Sequence, residues 1–138
     1  MTTPGIYYFT AEAIDNQSST YTDTIAVVVL DQAQLDALLK AKWNGMKTAL
    51  INRDLDGALA YFADGTKDNY QQIFSLLTED KLQGIASGMR EIEKIHFEEN
   101  RAKYGINREE TVQGILHDIT YYIYFVKGGD GIWKIESF

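Results

Sequence analysis

The chain has 138 residues, with 20 acidic and 13 basic side chains and a formal net charge of −7. That length suits one compact domain, or one domain joined to a fragment of another. The acidic balance argues against nucleic acid and anionic membrane as partners, because phosphates find no surplus of cations. Cysteine is absent and histidine is limited to His96 and His117, which excludes thiol nucleophiles, disulfides and thiolate metal sites, and no cofactor is expected.

The longest apolar run, Ile25 to Leu30, is far below the roughly 20 residues that span a bilayer, so no membrane insertion is expected. The opening Met1-Thr2-Thr3-Pro4-Gly5 lacks the basic and apolar regions of a signal peptide.

Residues 1–30 carry Glu12, Asp15 and Asp23 but no Lys or Arg, whereas residues 31–138 hold every basic group. Charge therefore splits into −3 and −4, with the composition changing near Leu30-Asp31. In the first segment Tyr7, Phe9, Ala11 and Ala13 alternate with Ile6, Tyr8, Thr10 and Glu12, the period of a strand. Asp15-Asn16-Gln17-Ser18-Ser19 is turn chemistry, and Thr24 to Leu30 is a second, β-branched strand. Asn16-Gln17-Ser18 satisfies the glycosylation pattern, but turn formation accounts for those residues. An isolated hairpin is marginal in water, so this segment needs an apolar surface from elsewhere.

The strings Pro4-Gly5-Ile6-Tyr7 through Asp15-Asn16 and Thr22-Asp23-Thr24 through Val29-Leu30 resemble the last two strands of a bacterial immunoglobulin-like surface domain. The resemblance implies that residues 1–30 are the closing hairpin of a truncated domain, with Tyr7 at its tyrosine corner. It also implies a longer, exported parent chain and an extracytoplasmic location; a native start at Met1 would instead leave the protein in the cytoplasm. The alternative is a hairpin that belongs to the main domain.

From Asp31 the period becomes helical. Leu35, Leu38, Leu39, Trp43, Met46 and Leu50 form one stripe of a long helix that Asp31 caps and Asn52 closes. Asp54 opens a short helix with Leu55, Ala58, Leu59 and Phe62 on one side. A third helix is expected from about Lys67, burying Tyr70, Ile73, Phe74 and Leu77. Thr78 caps a fourth, with Glu79 and Asp80 in its positive first turn and Leu82, Ile85 and Met89 inward.

After Arg90 the period falls to two. Ile95 and Phe97 share a face of one strand, and Ala102, Tyr104 and Ile106 share a face of the next. A long strand is expected over about Thr111 to Lys127, with Ile119, Tyr121, Ile123 and Phe125 inward. Gly128-Gly129-Asp130-Gly131 turns into a last strand, Ile132 to Phe138, with Trp133 and Ile135 opposed to Lys134 and Glu136. Helices followed by an antiparallel meander make an α+β fold: a long helix and short ones packed on a four-stranded sheet, with an extra N-terminal hairpin.

The closing Asp130-Gly131-Ile132-Trp133-Lys134-Ile135-Glu136-Ser137-Phe138, with Trp43 and Ala58-Leu59-Ala60-Tyr61-Phe62, resembles the NTF2-like (SnoaL-like, cystatin-like) superfamily over residues 31–138. That resemblance implies a curved sheet closed by helices into a cone, and it implies no particular reaction.

Candidate chemistry is sparse. Trp43, Tyr61, Tyr104, His117 and Tyr121 are placed so that they could converge on the cone and hold a small apolar ligand; the competing reading makes the aromatics ordinary core. His117 and Asp118 are adjacent in a strand and point to opposite faces, so they form no dyad. Related isomerases need a buried carboxylate, and the inward set contains none unless the first strand's parity is shifted by one. Asn52 to Gly57 imitates a calcium loop, but its twelfth position is Ala63 and a helix cap explains Asp54. Glu91, Glu93, Glu98, Glu99, Glu109 and Glu110 read as solvated groups that guard strand edges.

The long strand's other face, Thr120, Tyr122, Tyr124 and Val126, is too apolar for an open surface. A homodimer partner or a neighbouring domain is expected there. Two readings follow: a non-catalytic module of an exported or surface protein, serving ligand binding or association, or a SnoaL-like small-molecule enzyme acting in the cone. The first is favoured.

Overall fold

A computed structural model describes residues 3–138; Met1 and Thr2, the start of the segment inspected above for a leader, lie outside the described residues. The chain is α+β, with four helices and two antiparallel sheets of two and four strands. It forms two compact units, Met1–Asp36 and Ala37–Phe138.

In the first unit β1 (Gly5–Ile14) pairs with β2 (Thr20–Val29) without a register break. Asp15 closes the turn: its Oδ1 accepts from the Gln17 and Ser19 amides at 2.8 and 2.9 Å, and Ser18 adopts a left-handed φ of 64°. The Ser19 and Gln17 bonds hold the Asp15 carboxyl below the usual aspartate range, with the Tyr21 hydroxyl adding to them. A depressed folded pKa means that this contribution is complete above the unfolded pKa and is lost as pH falls through the folded one. Asp15 is therefore expected to titrate below an ordinary aspartate by carbon-detected NMR, and Asp15→Asn to remove the acid-dependent loosening of the turn. A midpoint at or above the ordinary value would contradict this. The Tyr7 hydroxyl donates to the Thr3 carbonyl at 2.8 Å, four residues upstream. Cross-strand pairing places Tyr7 with Val27, Phe9 with Ile25 and Ala13 with Tyr21 on one face. Phe9 and Ile25 are 44% and 58% exposed there, so the hairpin has no covering layer of its own.

Helix α1 (Gln32–Ile51) opens on a reciprocal cap in which Asp31 Oδ1 accepts from the Gln34 amide and Gln34 Oε1 from the Asp31 amide. Leu39, Trp43, Met46 and Leu50 are buried, as the stripe implies. The helix closes with Arg53, at φ 61°, in the left-handed position. The Asp54 and Arg53 amides then reach back to the Ala49 and Leu50 carbonyls, a Schellman ending. The Arg53 guanidinium meets Asp80 at 2.7 Å and Glu79 at 3.4 Å, tying this end to the start of the fourth helix. Asp54 caps α2 (Leu55–Leu59) through the Gly57 amide, the role that sets aside a calcium loop.

Helix α3 (Asp64–Ser75) begins before Lys67, because the Ala63 amide, just ahead of it, is bonded to the Ile135 carbonyl at 2.8 Å. Phe74 is buried, but Ile73 is half exposed, contrary to the sequence expectation. Thr78 caps α4 (Glu79–Gly88), which buries Leu82 and Ala86; Ile85 is 48% exposed. No helix among the described residues is long and apolar enough to cross a membrane.

The second sheet runs β3 (Glu93–Phe97), β4 (Arg101–Val112), β5 (Ile115–Lys127) and β6 (Trp133–Ser137), in spatial order β3-β4-β5-β6. A two-residue turn at Gln113 and Gly114, both with positive φ (53° and 81°), splits the expected Thr111–Lys127 strand and assigns Thr111 and Val112 to β4. A bulge between Lys94 and His96 puts Lys94 opposite Tyr104 and turns Ile95 away from the helices. Ile95 instead lies over Gly105, where its Cδ1 occupies the space a Cβ would take. Tyr61–Ala63 extends the far edge, with the Ile135 amide donating to the Tyr61 carbonyl at 2.8 Å. β3 reaches only to Gly105 and β6 only to Tyr124, so β4 and β5 continue beyond the sheet as a two-stranded ribbon.

Candidate functional site

The inner sheet face supplies Ala102, Tyr104, Ile123, Phe125 and Ile135 to the core, each at most 1% exposed. Beyond that packed zone, a cavity of about 380 Å³ lies among α1, α4 and the bases of β4 and β5. That volume is within the range of small-molecule sites. Trp43, Ile85, Met89, Ile106, Ile123 and Phe138 form its apolar wall. The Trp43 indole is fixed by its Nε1–H donating to the Arg90 carbonyl at 3.0 Å and by edge-on contact with Phe138 at 5.3 Å.

Polar groups gather where the ribbon leaves the sheet. Ile106 pairs with Tyr121 and Arg108 with Ile119, so period-two alternation puts Arg108 on the cavity face. Glu110 Oε1 accepts the Tyr121 hydroxyl at 3.0 Å and meets Arg108 Nε at 3.2 Å. The hydrogen bond to Glu110 raises the Tyr121 pKa, partial burial and the Glu110 charge adding to it, against the opposing pull of Arg108. Tyr121 is thus held as a donor and not poised as a base. Arg90 donates Nη1 to the Asn107 carbonyl at 3.1 Å and also lines the cavity.

Of the residues singled out from sequence, Trp43 and Tyr121 reach this cavity. Tyr104 is wholly buried behind it, with its ring 5.5 Å from Phe125 and 5.8 Å from Phe97. Tyr61 packs on α1, with its hydroxyl and ring filling the space beside Gly45. His117 shares a face with Tyr121 but sits opposite Glu110 on the exposed ribbon, past the reach of β3 and β6. The structure therefore does not bring the five together.

On the outer face Thr120 bonds Asn107, and Tyr122 is 47% exposed while Tyr124 and Val126 are partly covered. Lys103 Nζ lies 3.9 Å from the Tyr122 ring centroid and the Arg101 guanidinium 4.5 Å from that of Tyr124. Long cationic side chains thus shield part of this apolar surface.

Sequence reasoning missed Arg90, Arg108, Gly84 and Gly88 as cavity residues. The parity of β4 was enough to find Arg108, since it shares the face of Ile106. The four-residue spacing of Gly84 and Gly88 in a helical pattern was a second available signal. In comparisons with known proteins, the chain matches no family model, no curated protein and no solved structure.

Proposed function

We propose that this protein is a non-catalytic binding module whose ligand is small, largely apolar and held in the cavity between α4 and the sheet. The observation that carries the reading is the cavity wall itself, where exposed Ile85, Tyr121 and Phe138 are displayed around an unfilled space. Its lining holds guanidinium and phenol groups, and the carboxylate at its mouth, Glu110, is engaged by Arg108 and Tyr121. The test is Nile red, a neutral dye, titrated into wild type and into Gly84→Leu, which places a large apolar side chain at the cavity rim. Enhanced dye fluorescence that the variant loses, while keeping its circular dichroism, supports the reading; equal enhancement in both sinks it.

The order of helices and meander, with the Asp130–Phe138 ending, supports an NTF2-like assignment of residues 31–138. The Tyr7 bond to Thr3 has the form of a tyrosine corner and supports the immunoglobulin-like reading of residues 1–30. Together they favour a module of an exported or surface protein, and the intact mass of the native protein checks this. A mass equal to a chain starting at Met1 would count against it. The exposed Tyr122 and Ile95 favour the outer face for association with a second copy or neighbouring domain. Light scattering is then expected to show a dimer that Tyr124→Glu converts to monomer; an unchanged mass would refute that assignment.

A further inference from the structure

Two glycines in α4 are out of keeping with their surroundings. Gly84 lies inside the helix and Gly88 at its last position, four residues on and on the same face. Both line the cavity, yet a Cβ built on either meets no atom within 4 Å. Packing of the protein alone therefore does not demand glycine at Gly84, where alanine is the better helix former. Glycine at these exposed positions leaves the cavity rim without side chains.

The charge at the cavity mouth is equally specific. Arg90 and Arg108 line it, and Glu110 engages Arg108 through Nε while accepting from Tyr121. A guanidinium has five donors, so the Nη groups of Arg108 remain for a second acceptor. Two guanidinium groups against one carboxylate leave a single positive charge at this mouth, in a chain whose formal net charge is −7.

We infer that the cavity takes an amphipathic carboxylate, its apolar body against Ile85, Met89 and Phe138 and its head group on Arg108 and Arg90. The single surplus charge matches a monoanion, and a planar carboxylate suits the guanidinium fork. Gly84 and Gly88 leave the rim beside the apolar body open. This inference rests on the binding reading above and specifies the ligand class.

The experiment is calorimetric titration of the full chain with decanoate and with decanol at neutral pH. Decanoate is expected to bind about ten- to a hundredfold more tightly, the worth of a hydrogen-bonded charge. Arg108→Gln should bring decanoate to the decanol level and leave decanol unchanged. Gly84→Ala should raise Tm by about 3–5 °C while weakening both ligands. Equal affinities for the two ligands in wild type, or an equal loss of both in Arg108→Gln, would overturn the carboxylate assignment and leave the binding reading standing. Failure of both ligands to bind would overturn the two together. A fall in Tm for Gly84→Ala would show the glycine to be structural and remove the argument from the open rim.

Discussion

Trp43→Ala is expected to destabilise the protein by about 3–5 kcal/mol, seen as a lower urea midpoint at unchanged m value. The indole is 1% exposed, so its removal strips a large apolar group from the core and leaves a void that α1 cannot close. It also removes the donor to the Arg90 carbonyl and the edge-on partner of Phe138. Trp43→Phe separates these contributions. It keeps an aromatic ring but loses the Nε1–H, and a loss of about 1–3 kcal/mol is expected for the carbonyl left without its donor. Because Arg90 lines the cavity, both variants should also weaken ligand binding. A cost for Trp43→Ala below about 0.5 kcal/mol, the range of surface substitutions, would show that the ring is not part of the core.

Phe62→Ala is expected to cost a similar amount, about 3–5 kcal/mol, by a different route. Phe62 is buried with ring centroids 4.4 Å from Tyr70 and 5.9 Å from both Phe74 and Phe138. Its backbone forms the parallel bridge to Ile135 that widens the sheet edge. Loss of the ring removes the packing that holds Tyr70, whose hydroxyl donates to the Phe138 carbonyl and accepts from the Phe138 amide. The C-terminal residue should therefore loosen, read as faster exchange of the Phe138 amide. Trp43 and Phe62 share Phe138 as a neighbour, so the double variant should depart from additivity by about 0.5–3 kcal/mol. Strict additivity would mean that Phe138 does not couple them.

The elements were legible where one physical signal dominated. Asp31, Asp54 and Thr78 cap helices because their short side chains satisfy first-turn amides, and that pattern is local. The stripe of α1 and the alternation at Ile123 and Phe125 are likewise direct images of burial, whereas Ile119 and Tyr121, expected inward on the same face, are half-buried and exposed. Errors arose where the deciding interaction lies elsewhere in the chain. Ile95 changed face because a bulge inserts one residue opposite β4, which alternation within five residues cannot reveal. The Gln113–Gly114 turn was hidden because glutamine is an uncommon left-handed residue and both flanks are β-branched or apolar. Ile73 and Ile85 fit helical spacing, yet they are half exposed, and spacing along a helix does not tell what lies opposite it. The candidate site shows the same division. Parity correctly put His117 and Tyr121 on one face, but parity carries no information about where neighbouring strands stop.

The unaccompanied ribbon has a consequence for exchange kinetics. In a two-stranded antiparallel ladder, alternate amides point to the partner and the rest point outward. Between Ile106 and Val112 on one strand, and Ile115 and Ile123 on the other, the outward amides meet no further strand. Solvent deuterium should therefore enter this stretch in a one-on, one-off rhythm, while Tyr104 and Phe125, flanked on both sides, stay protected until the unit opens as a whole. Ile106, Arg108 and Tyr121 belong to that half-protected stretch, so one wall of the cavity is made of backbone that solvent already reaches.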